Sequence, residues 1–331
     1  MARAWTLKSR PSGMPVADNF ELRDFADAPL AEGEIRVANS FLSVDPYMRG
    51  RMNDVKSYVP PFQIGEAMTG GAVGVVTESR ADGFAIGDQV MHMLGWRDTA
   101  VVPATGMMAP NKLPAANLPV QMFLGNMGLT GATAWFGLLD TASAKEGDIV
   151  FVSAAAGAVG SAVVQIAKAK GMTVIGAAGG PDKCAWVKEL GADACIDYKV
   201  GSVLKQLYAA APKGIDVYFD NVGGEHLDAA LASARMNARF AICGLIDIYN
   251  TGEPMALKYF ARVIGNRVRI QGFLFNDFAP RMGEFLAGAG AMVASGQLKS
   301  RDTVFEGLAR APDAFMGLFT GANTGKMLVK V

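Results

Sequence analysis

The chain has 331 residues, with 31 basic and 31 acidic side chains that give a formal net charge of zero, and 51% of its residues are hydrophobic. Because a single hydrophobic core stops growing near about 250–300 residues, this length predicts two domains. The charges are balanced and form no cluster of Lys and Arg, which argues against a nucleic-acid or anionic-membrane partner. We expect a compact, water-soluble protein.

Two long stretches are uncharged, at residues 113–139 and 149–167. Prolines and glycines interrupt the first, and the second changes from β-branched residues to a Gly-rich turn and then to a helical pattern. Neither is therefore expected to span a membrane. The N-terminus carries Arg3, Lys8 and Arg10 without the apolar segment of a secretory signal, so a cytoplasmic location is the expectation.

Cysteine and histidine are both scarce. Cys184, Cys195 and Cys243 lie far apart with no C-x-x-C pair, which argues against a disulfide framework and against a structural zinc site. His92 lies in an apolar segment and His226 at a predicted helix start, so both are interpreted as structural. We expect no metal site.

The order of predicted elements indicates two kinds of architecture. The first hundred residues predict an irregular, mostly β region with short strands at 34–38, 71–77 and 89–94. From about residue 147 strands and helices alternate, with strands at 149–153, 173–177, 194–197, 214–220, 238–243 and 267–273 and helices at 158–170, 182–190 and 225–234. This alternation predicts βαβ units and a six-stranded parallel sheet. A helical hairpin over 305–310 and 311–319, then a strand at 326–331, is expected to return to the first domain.

The strongest chemical signal is the segment 152–161, VSAAAGAVGS, which follows a predicted strand and opens a predicted helix. It places Ala154, Gly157 and Gly160 in an A-x-x-G-x-x-G pattern. Small residues at this spacing let the backbone approach a pyrophosphate, whose charge the helix N-terminus holds. The pattern predicts a dinucleotide site, and the alternative is a tight strand-to-helix turn.

The end of the next predicted strand distinguishes between dinucleotides. An NAD site usually has an acidic residue there, which hydrogen-bonds the ribose 2′-OH. This chain instead has Ala177-Ala178-Gly179-Gly180, with Lys183 shortly after. No carboxylate would repel a 2′-phosphate and an ammonium group could bind one, so NADP is the predicted cofactor, unless Lys183 is only a solvated lysine of the first helical turn.

Seven segments together carry a resemblance to a known family. They are residues 42–52 (LSVDPYMRGRM), 154–160 (AAAGAVG), 179–183 (GGPDK), 219–224 (FDNVGG), 243–250 (CGLIDIYN), 269–273 (RIQGF) and 321–326 (GANTGK). They extend nearly end to end in a consistent order. The chain resembles the zinc-independent medium-chain dehydrogenase/reductases, and specifically their branch of prostaglandin reductases, curcumin reductases and alkenal double-bond reductases.

The resemblance implies an α/β fold with two domains. A GroES-like β domain is expected from residues 1–125 and 297–331, and a Rossmann domain with a doubly wound parallel sheet from residues 126–296, with the active site in the cleft. Zinc-dependent relatives have a G-H-E motif where this chain has Ile64-Gly65-Glu66, and they have a four-cysteine lobe that this chain lacks. The resemblance also implies a homodimer.

By resemblance, residues 157–160 contact the pyrophosphate, Lys183 and Tyr198 contact the 2′-phosphate, and several strand ends contact the nicotinamide side. The implied cofactor-binding residues are Gly157, Ala158, Val159, Gly160, Lys183, Tyr198, Asn221, Cys243, Gly244, Leu245, Ile246, Tyr249, Phe273, Leu274, Phe275 and Asn323. Structural roles are the alternative, because Asn221 could cap a turn, residues 273–275 could form a core strand, and Asn323 could serve a loop.

The implied reaction is NADPH-dependent reduction of the C=C bond of an α,β-unsaturated aldehyde or ketone. Without zinc, the carbonyl oxygen needs another hydrogen-bond donor, and Tyr47 and Tyr249 are the catalytic candidates, with simple packing as their alternative role. Several relatives carry a proton-transfer tyrosine where this chain has Gly265, and Tyr259 lies six residues earlier. The proton donor is therefore open, with bulk water as one option.

Two other functions compete with enal or enone reduction. A quinone reductase would use the same hydride and the same metal-free site with a flat dicarbonyl substrate. A noncatalytic NADPH-binding or sensor protein would bind the cofactor without turnover. The size and identity of the substrate are not readable from these residues, beyond a slot without strong charge.

Overall fold

A computed structural model describes residues 2–26, 29–106, 108–114 and 118–331. Its internal contacts divide the chain into two compact units. The first unit takes Met1–Leu124, Asp302–Asn323 and Met327–Val331, and the second takes Gly125–Arg301 and Thr324–Lys326. Each unit is described by itself below.

The strands of the described residues fall into three sheets. In chain order they are β1 (Ala2–Leu7), β2 (Phe20–Phe25), β3 (Glu34–Ser43), β4 (Ala72–Ser79), β5 (Gln89–His92), β6 (Thr99–Pro103), β7 (Asn111–Lys112), β8 (Ile149–Val152), β9 (Thr173–Ala178), β10 (Ala194–Asp197), β11 (Ile215–Asp220), β12 (Ala234–Ile242), β13 (Arg269–Gly272), β14 (Asp302–Glu306) and β15 (Lys326–Lys330).

The helices are concentrated in the second unit. They are α1 (Met48–Arg51), α2 (Leu129–Phe136), α3 (Ala158–Ala169), α4 (Pro181–Glu189), α5 (Val203–Ala210), α6 (Gly224–Ser233), α7 (Arg262–Asn266), α8 (Met282–Ala294) and α9 (Ala311–Thr320). A π-helical turn at Gly137–Thr141 extends α2, and short 3-10 helices lie at Ala17–Asn19, Val120–Leu124, Ile246–Ile248, Phe275–Arg281 and Leu308–Arg310. Within the part of the chain that the structure describes, no helix is both long and apolar enough to cross a membrane.

The first unit is built on antiparallel strands. A seven-stranded sheet has the order β14-β15-β3-β4-β5-β7, with β6 also paired to β3, and β1 and β2 form a separate pair. The chain's last strand, β15, is antiparallel to β3 and places Leu328 opposite Ser43. Trp96 fills the core, with its ring stacked on Phe20 at 6.1 Å and edge-on to Phe315 at 5.9 Å. Residues distant in sequence therefore share one hydrophobic core.

The second unit confirms the predicted doubly wound parallel sheet. Its strand order is β10-β9-β8-β11-β12-β13, and each neighbouring pair is parallel. Parallel strands are covered by helices on both faces, which explains why β8 and β11 are almost continuously apolar and buried. Tyr218 packs between Phe151 at 5.1 Å and Phe240 at 5.4 Å. All six strands end at one edge of this sheet, and the strand order reverses between β8 and β11 there, so this edge is where such sheets bind ligands.

Some predicted boundaries are wrong. The strand predicted at 34–38 extends as β3 to Ser43, and the one predicted at 238–243 begins at Ala234. The predicted helical hairpin is also wrong, since Asp302–Glu306 is a strand and only the short 3-10 helix Leu308–Arg310 precedes α9. Gly307 follows β14 directly and has a φ of 89°, so the extended backbone of the strand ends there. Residues with a side chain rarely adopt this left-handed backbone conformation.

Candidate functional site

The turn between β8 and α3 is tight and made of small residues. Ala154 has a φ of 47°, in the left-handed region that residues with side chains seldom enter. The Gly157 N–H donates to the Ala154 carbonyl at 2.9 Å, and α3 then begins at Ala158. Because the first N–H groups of a helix have no partner within the helix, the start of α3 presents donors and a positive dipole end to an anion. The partly exposed Ala158 and Val159 lie at this point.

Glycine is required at two places behind this turn. A Cβ on Gly160 would collide with the Ala154 carbonyl oxygen and would lie 2.8 Å from the Ala155 Cα. A Cβ on Gly176 of β9 would lie 2.6 Å from Val187 Cγ1 and 2.8 Å from the Ala155 Cβ. These close approaches let α3 and β9 pack directly on the turn. The backbone cradle fits a dinucleotide pyrophosphate, as the sequence pattern predicts.

The segment Thr324–Lys326 lies against the same turn. Gly325 pairs with Gly157 in a parallel bridge, and its N–H donates to the Ala156 carbonyl at 2.7 Å. A Cβ on Gly325 would collide with the Arg301 carbonyl oxygen. The second glycine of the segment 321–326, Gly325, is thus explained by a close backbone approach.

A second corner forms where β9 and β10 end. Tyr198 follows β10, and a Cβ on Gly179 would lie 2.5 Å from the Tyr198 hydroxyl and 3.1 Å from Lys199 Cε. The Asp197 carboxylate ties the corner together by accepting the Gly180 N–H at 2.9 Å and the Lys199 N–H at 3.0 Å. Tyr198 and Lys199 therefore lie directly over the loop that leads into α4.

Two ammonium groups share this corner. Lys183, in the first turn of α4, has a lowered pKa, first because it is half-buried and then because the Lys199 ammonium lies nearby. The pKa of Tyr198 is raised by burial and by the Asp197 charge, so its hydroxyl keeps its proton. A phosphate placed between the two lysines would relieve their repulsion and accept the Tyr198 hydroxyl. The sequence reading did not include Lys199, although its position directly after Tyr198 was the available signal.

The end of β11 is fastened to the end of β8. Asn221 donates its backbone N–H to Ser153 Oγ and its side-chain amide to the Ser153 carbonyl, both at 2.8 Å. The neighbouring Asp220 is fully buried, and its Oδ1 accepts the Tyr218 hydroxyl at 2.7 Å and the Gly223 N–H at 2.8 Å. Burial raises the pKa of Asp220. Asp220 was not among the predicted residues, and its place in F-D-N-V-G-G after an apolar strand was the available signal.

The predicted loop at 243–249 folds over the end of β11. The N–H groups of Cys243 and Gly244 donate to the Asp220 carbonyl at 2.8 and 3.1 Å. The Leu245 N–H donates to the Tyr249 hydroxyl oxygen at 3.2 Å, which holds the ring on its own loop. Burial and then the Asp220 charge raise the pKa of Cys243 to about 12, so its thiol stays protonated. The half-buried Ile246 lies in the short 3-10 helix of this loop.

The predicted residues 273–275 have different environments. The Phe273 ring packs against Phe219, with ring centres 6.1 Å apart, and rests directly on Gly137, where a Cβ would collide with it. Leu274 is exposed, and Phe275 begins a short 3-10 helix. The Phe273 side chain is thus used in the packing of the second unit.

Tyr47, in the first unit, directly precedes α1. Its ring packs on the core of that unit, and its hydroxyl hydrogen-bonds the Arg51 guanidinium. Arg51 is itself fixed, because it donates to the Pro60 carbonyl and to Thr69 Oγ1, both at 2.9 Å, and lies 4.0 Å from the centre of the Phe62 ring. Burial first, and then the Asp45 charge, raise the pKa of Tyr47 well above its usual value.

The two units divide the predicted site residues between them. Tyr47 and the half-buried Asn323 belong to the first unit, and the other predicted residues belong to the second. Within the second unit the strand ends bring the glycine turn, Asn221 and the 243–249 loop together. Tyr259 packs against the core there, and its N–H donates to Asp228 at 2.9 Å, while Gly265 lies in α7. Among the residues with described positions, no three His, Cys, Asp or Glu side chains are grouped to hold a metal ion.

Comparisons with family models agree with this architecture. Residues 3–109 match a model described as the N-terminal domain of oxidoreductase. Residues 158–288 match a model described as zinc-binding dehydrogenase.

Individual relatives are similar over nearly their whole length. NADPH-dependent curcumin reductase of Escherichia coli (strain K12) is 41% identical over 336 residues, which cover 99% of this chain and 96% of that protein. Prostaglandin reductase 1 of Mus musculus is 40% identical over 335 residues, with 99% of each chain covered. The crystal structure of CurA from Vibrio vulnificus in complex with NADPH is 43% identical, covers 99% of each chain and has a TM-score of 0.93.

Proposed function

Since the chain belongs to the zinc-independent medium-chain dehydrogenase/reductases, in the branch of the curcumin and prostaglandin reductases, we propose that it reduces the C=C bond of α,β-unsaturated aldehydes and ketones with NADPH. The observation that carries this proposal is the basic corner beside Gly179. Lys183, Lys199 and Tyr198 meet there next to β9, which ends without an acid, while the Asp197 carboxylate at the end of β10 accepts the backbone N–H groups of Gly180 and Lys199. This arrangement suits a 2′-phosphate.

The residues of the second unit would hold the cofactor at three places. The start of α3, over residues 157–160, would bind the pyrophosphate, and Lys183, Tyr198 and Lys199 would bind the 2′-phosphate. Asn221 and the 243–249 loop would face the nicotinamide side, together with residues 273–275. NADPH, when bound, supplies the hydride that adds to the β-carbon.

Tyr47 would stabilise the negative charge that develops on the substrate's carbonyl oxygen. Its raised pKa keeps the hydroxyl protonated at neutral pH, as a hydrogen-bond donor requires. The bond from Arg51 to the Tyr47 oxygen polarises the hydroxyl and strengthens its donation. Tyr249 offers a second hydroxyl, already held by the Leu245 N–H.

The α-carbon also needs a proton. Gly265 has no side chain that could deliver one, and the Tyr259 ring is packed against the core of the second unit. We therefore assign this proton to water.

The roles of the two tyrosines can be tested by Tyr47→Phe and Tyr249→Phe, with Tyr208→Phe as control. Tyr208 donates its hydroxyl to the Ala232 carbonyl at 3.0 Å, away from the site residues, and its variant should behave as the native protein. Loss of the main oxyanion donor lowers kcat by roughly a hundredfold, and we expect that loss for Tyr47→Phe. NADPH oxidation is followed with enals, enones and quinones. Turnover of quinones alone, or of no substrate despite NADPH binding, would overturn the proposed function.

A further inference from the structure

Cys184 and Cys195, which are separated in the sequence, lie together in the structure. Cys184, in the first half of α4, and Cys195, in β10, have their sulfur atoms 2.9 Å apart, with the Cys195 thiol directed at the Cys184 sulfur. Cys184 is buried and Cys195 is half-buried, and neither belongs to a disulfide. Their positions in the sequence, without a C-x-x-C spacing, gave no indication of this pairing.

The pair borders the corner that we assign to the 2′-phosphate. Cys184 directly follows Lys183, and its sulfur lies 3.9 Å from the Ala178 carbonyl oxygen. The same carbonyl accepts the Tyr198 N–H at 3.3 Å. A change in the position of the Cys184 sulfur is thus transmitted directly to Lys183 along the helix and to Tyr198 through one shared carbonyl.

We propose that Cys184 and Cys195 form an oxidisable dithiol, which a hydroperoxide converts to a disulfide, and that this disulfide weakens NADPH binding. The first part stands on the geometry of the two thiols alone. The second part rests on the proposed function, because it uses the assignment of Lys183 and Tyr198 to the 2′-phosphate.

The chemistry balances with a hydroperoxide as the oxidant. Burial and the hydrogen bond to Cys184 raise the pKa of Cys195, so Cys195 remains a donor while the Cys184 sulfur attacks. The Cys184 sulfur attacks the terminal oxygen of the hydroperoxide and the O–O bond breaks, and the proton that the Cys184 thiol gives up converts the departing alkoxide to an alcohol. The Cys195 sulfur then displaces water from the Cys184 sulfenic acid, with its proton going to that water. Two thiols and one hydroperoxide give one disulfide, one alcohol and one water.

Only a small movement is needed to form this bond. A disulfide has a length of about 2.05 Å, so the sulfurs must approach each other by about 0.9 Å from their present separation. The movement draws the first turns of α4 towards β10. Lys183 shifts relative to Tyr198, and the two residues no longer match the separation that a phosphate group needs.

The disulfide itself is tested by mass spectrometry after treatment of the full chain with hydrogen peroxide. Trypsin should then release residues 184–188 joined to residues 189–199, and dithiothreitol should separate them. Cys184→Ser and Cys195→Ser should each abolish this product, while Cys243→Ser should still form it. Peroxide treatment that leaves both thiols reduced, or that produces only sulfinic acid at Cys184, would overturn the proposal.

The coupling to the cofactor is tested by the Kd for NADPH before and after oxidation. We expect an increase of about tenfold in the native protein, reversed by dithiothreitol and absent in Cys195→Ser. An unchanged Kd in a protein whose disulfide is proven would refute the coupling. Neither measurement uses turnover, so a failure of the proposed reaction would appear separately, in the enone assay.

Discussion

Lys183 lies in the first turn of α4 and Lys199 in the turn after β10, yet they present their ammonium groups to one corner of the second unit. Burial first, and then the charge of Lys199, lower the pKa of Lys183, and an anion between the two ammonium groups would offset their repulsion. NADP and NAD differ there by a single phosphate. Discrimination between the two cofactors therefore depends on a few side chains.

We expect Lys183→Ala to raise the Kd for NADPH by about 10- to 100-fold, because a charged hydrogen bond contributes roughly 1.5–3 kcal/mol. The Kd for NADH should remain unchanged. Lys205→Ala removes an exposed lysine of α5 in the same unit and serves as the matched control. Equal losses of affinity for NADPH and NADH in Lys183→Ala would contradict a 2′-phosphate contact.

Lys183 and Lys199 also show which site residues could be predicted from the sequence and which could not. Lys183 follows the glycine motif at a spacing that local patterns predict. The contribution of Lys199 depends on the pairing of β10 with β9, which brings the loops after two separate strands together. Such a pairing is set by long-range packing, so the only sequence signal for Lys199 was its position next to Tyr198, which the family resemblance implied.

The segment that runs from β8 through its turn into α3 is the part of the fold whose elements were predicted best from the sequence. An apolar run, small residues and a helical period follow one another without ambiguity, and the structure places α3 at Ala158–Ala169. The pairs β1–β2 and β3–β6 were not predicted. The strands β2 and β14 were also missed as strands. Most of their side chains are partly or fully exposed, so they lack the apolar run that is typical of a buried strand.

We expect Gly160→Ala to destabilise this element, since the new Cβ would collide with the Ala154 carbonyl oxygen. Overpacking of this kind costs about 1–3 kcal/mol, and the displaced turn should raise the Kd for NADPH at least tenfold. Gly283→Ala is the matched control, because it lies in α8 with open space around its Cα. Thermal unfolding and NADPH titration measure both effects. A Gly160→Ala variant with native stability and affinity would contradict the close packing.

At the scale of the whole molecule, each unit contains one buried, uncharged histidine. His92 donates through Nε2 to Asn39 Oδ1 at 2.9 Å and accepts the Leu94 N–H at Nδ1. Desolvation lowers the pKa of His92 to about 4, with Arg97 adding to the effect. Desolvation likewise lowers the pKa of His226 to about 4, against the opposing charge of Asp247. The His226 ring packs edge-on against Tyr198, with ring centres 5.4 Å apart.

Stability should therefore fall with acidification. An unfolded histidine binds a proton near pH 6.5, whereas His92 and His226 bind one only near pH 4 in the folded state. The free energy of unfolding therefore decreases as the pH falls from about 6.5 towards 4. Each histidine contributes up to about 3 kcal/mol to this loss. Urea unfolding at pH 7 and pH 4.5 measures the change, and His226→Gln should reduce it. An unfolding free energy that stays constant over this range would contradict the buried neutral state.

The central claim is that NADPH hydride is delivered to the β-carbon of a conjugated carbonyl compound. NADPH carrying deuterium at C4, in each of its two epimeric forms, tests this claim directly with an enal or an enone as substrate. We expect a saturated product with its carbonyl intact and with deuterium at the β-carbon, from one epimer only. An alcohol with deuterium on the former carbonyl carbon, or no transfer to any such substrate, would contradict it.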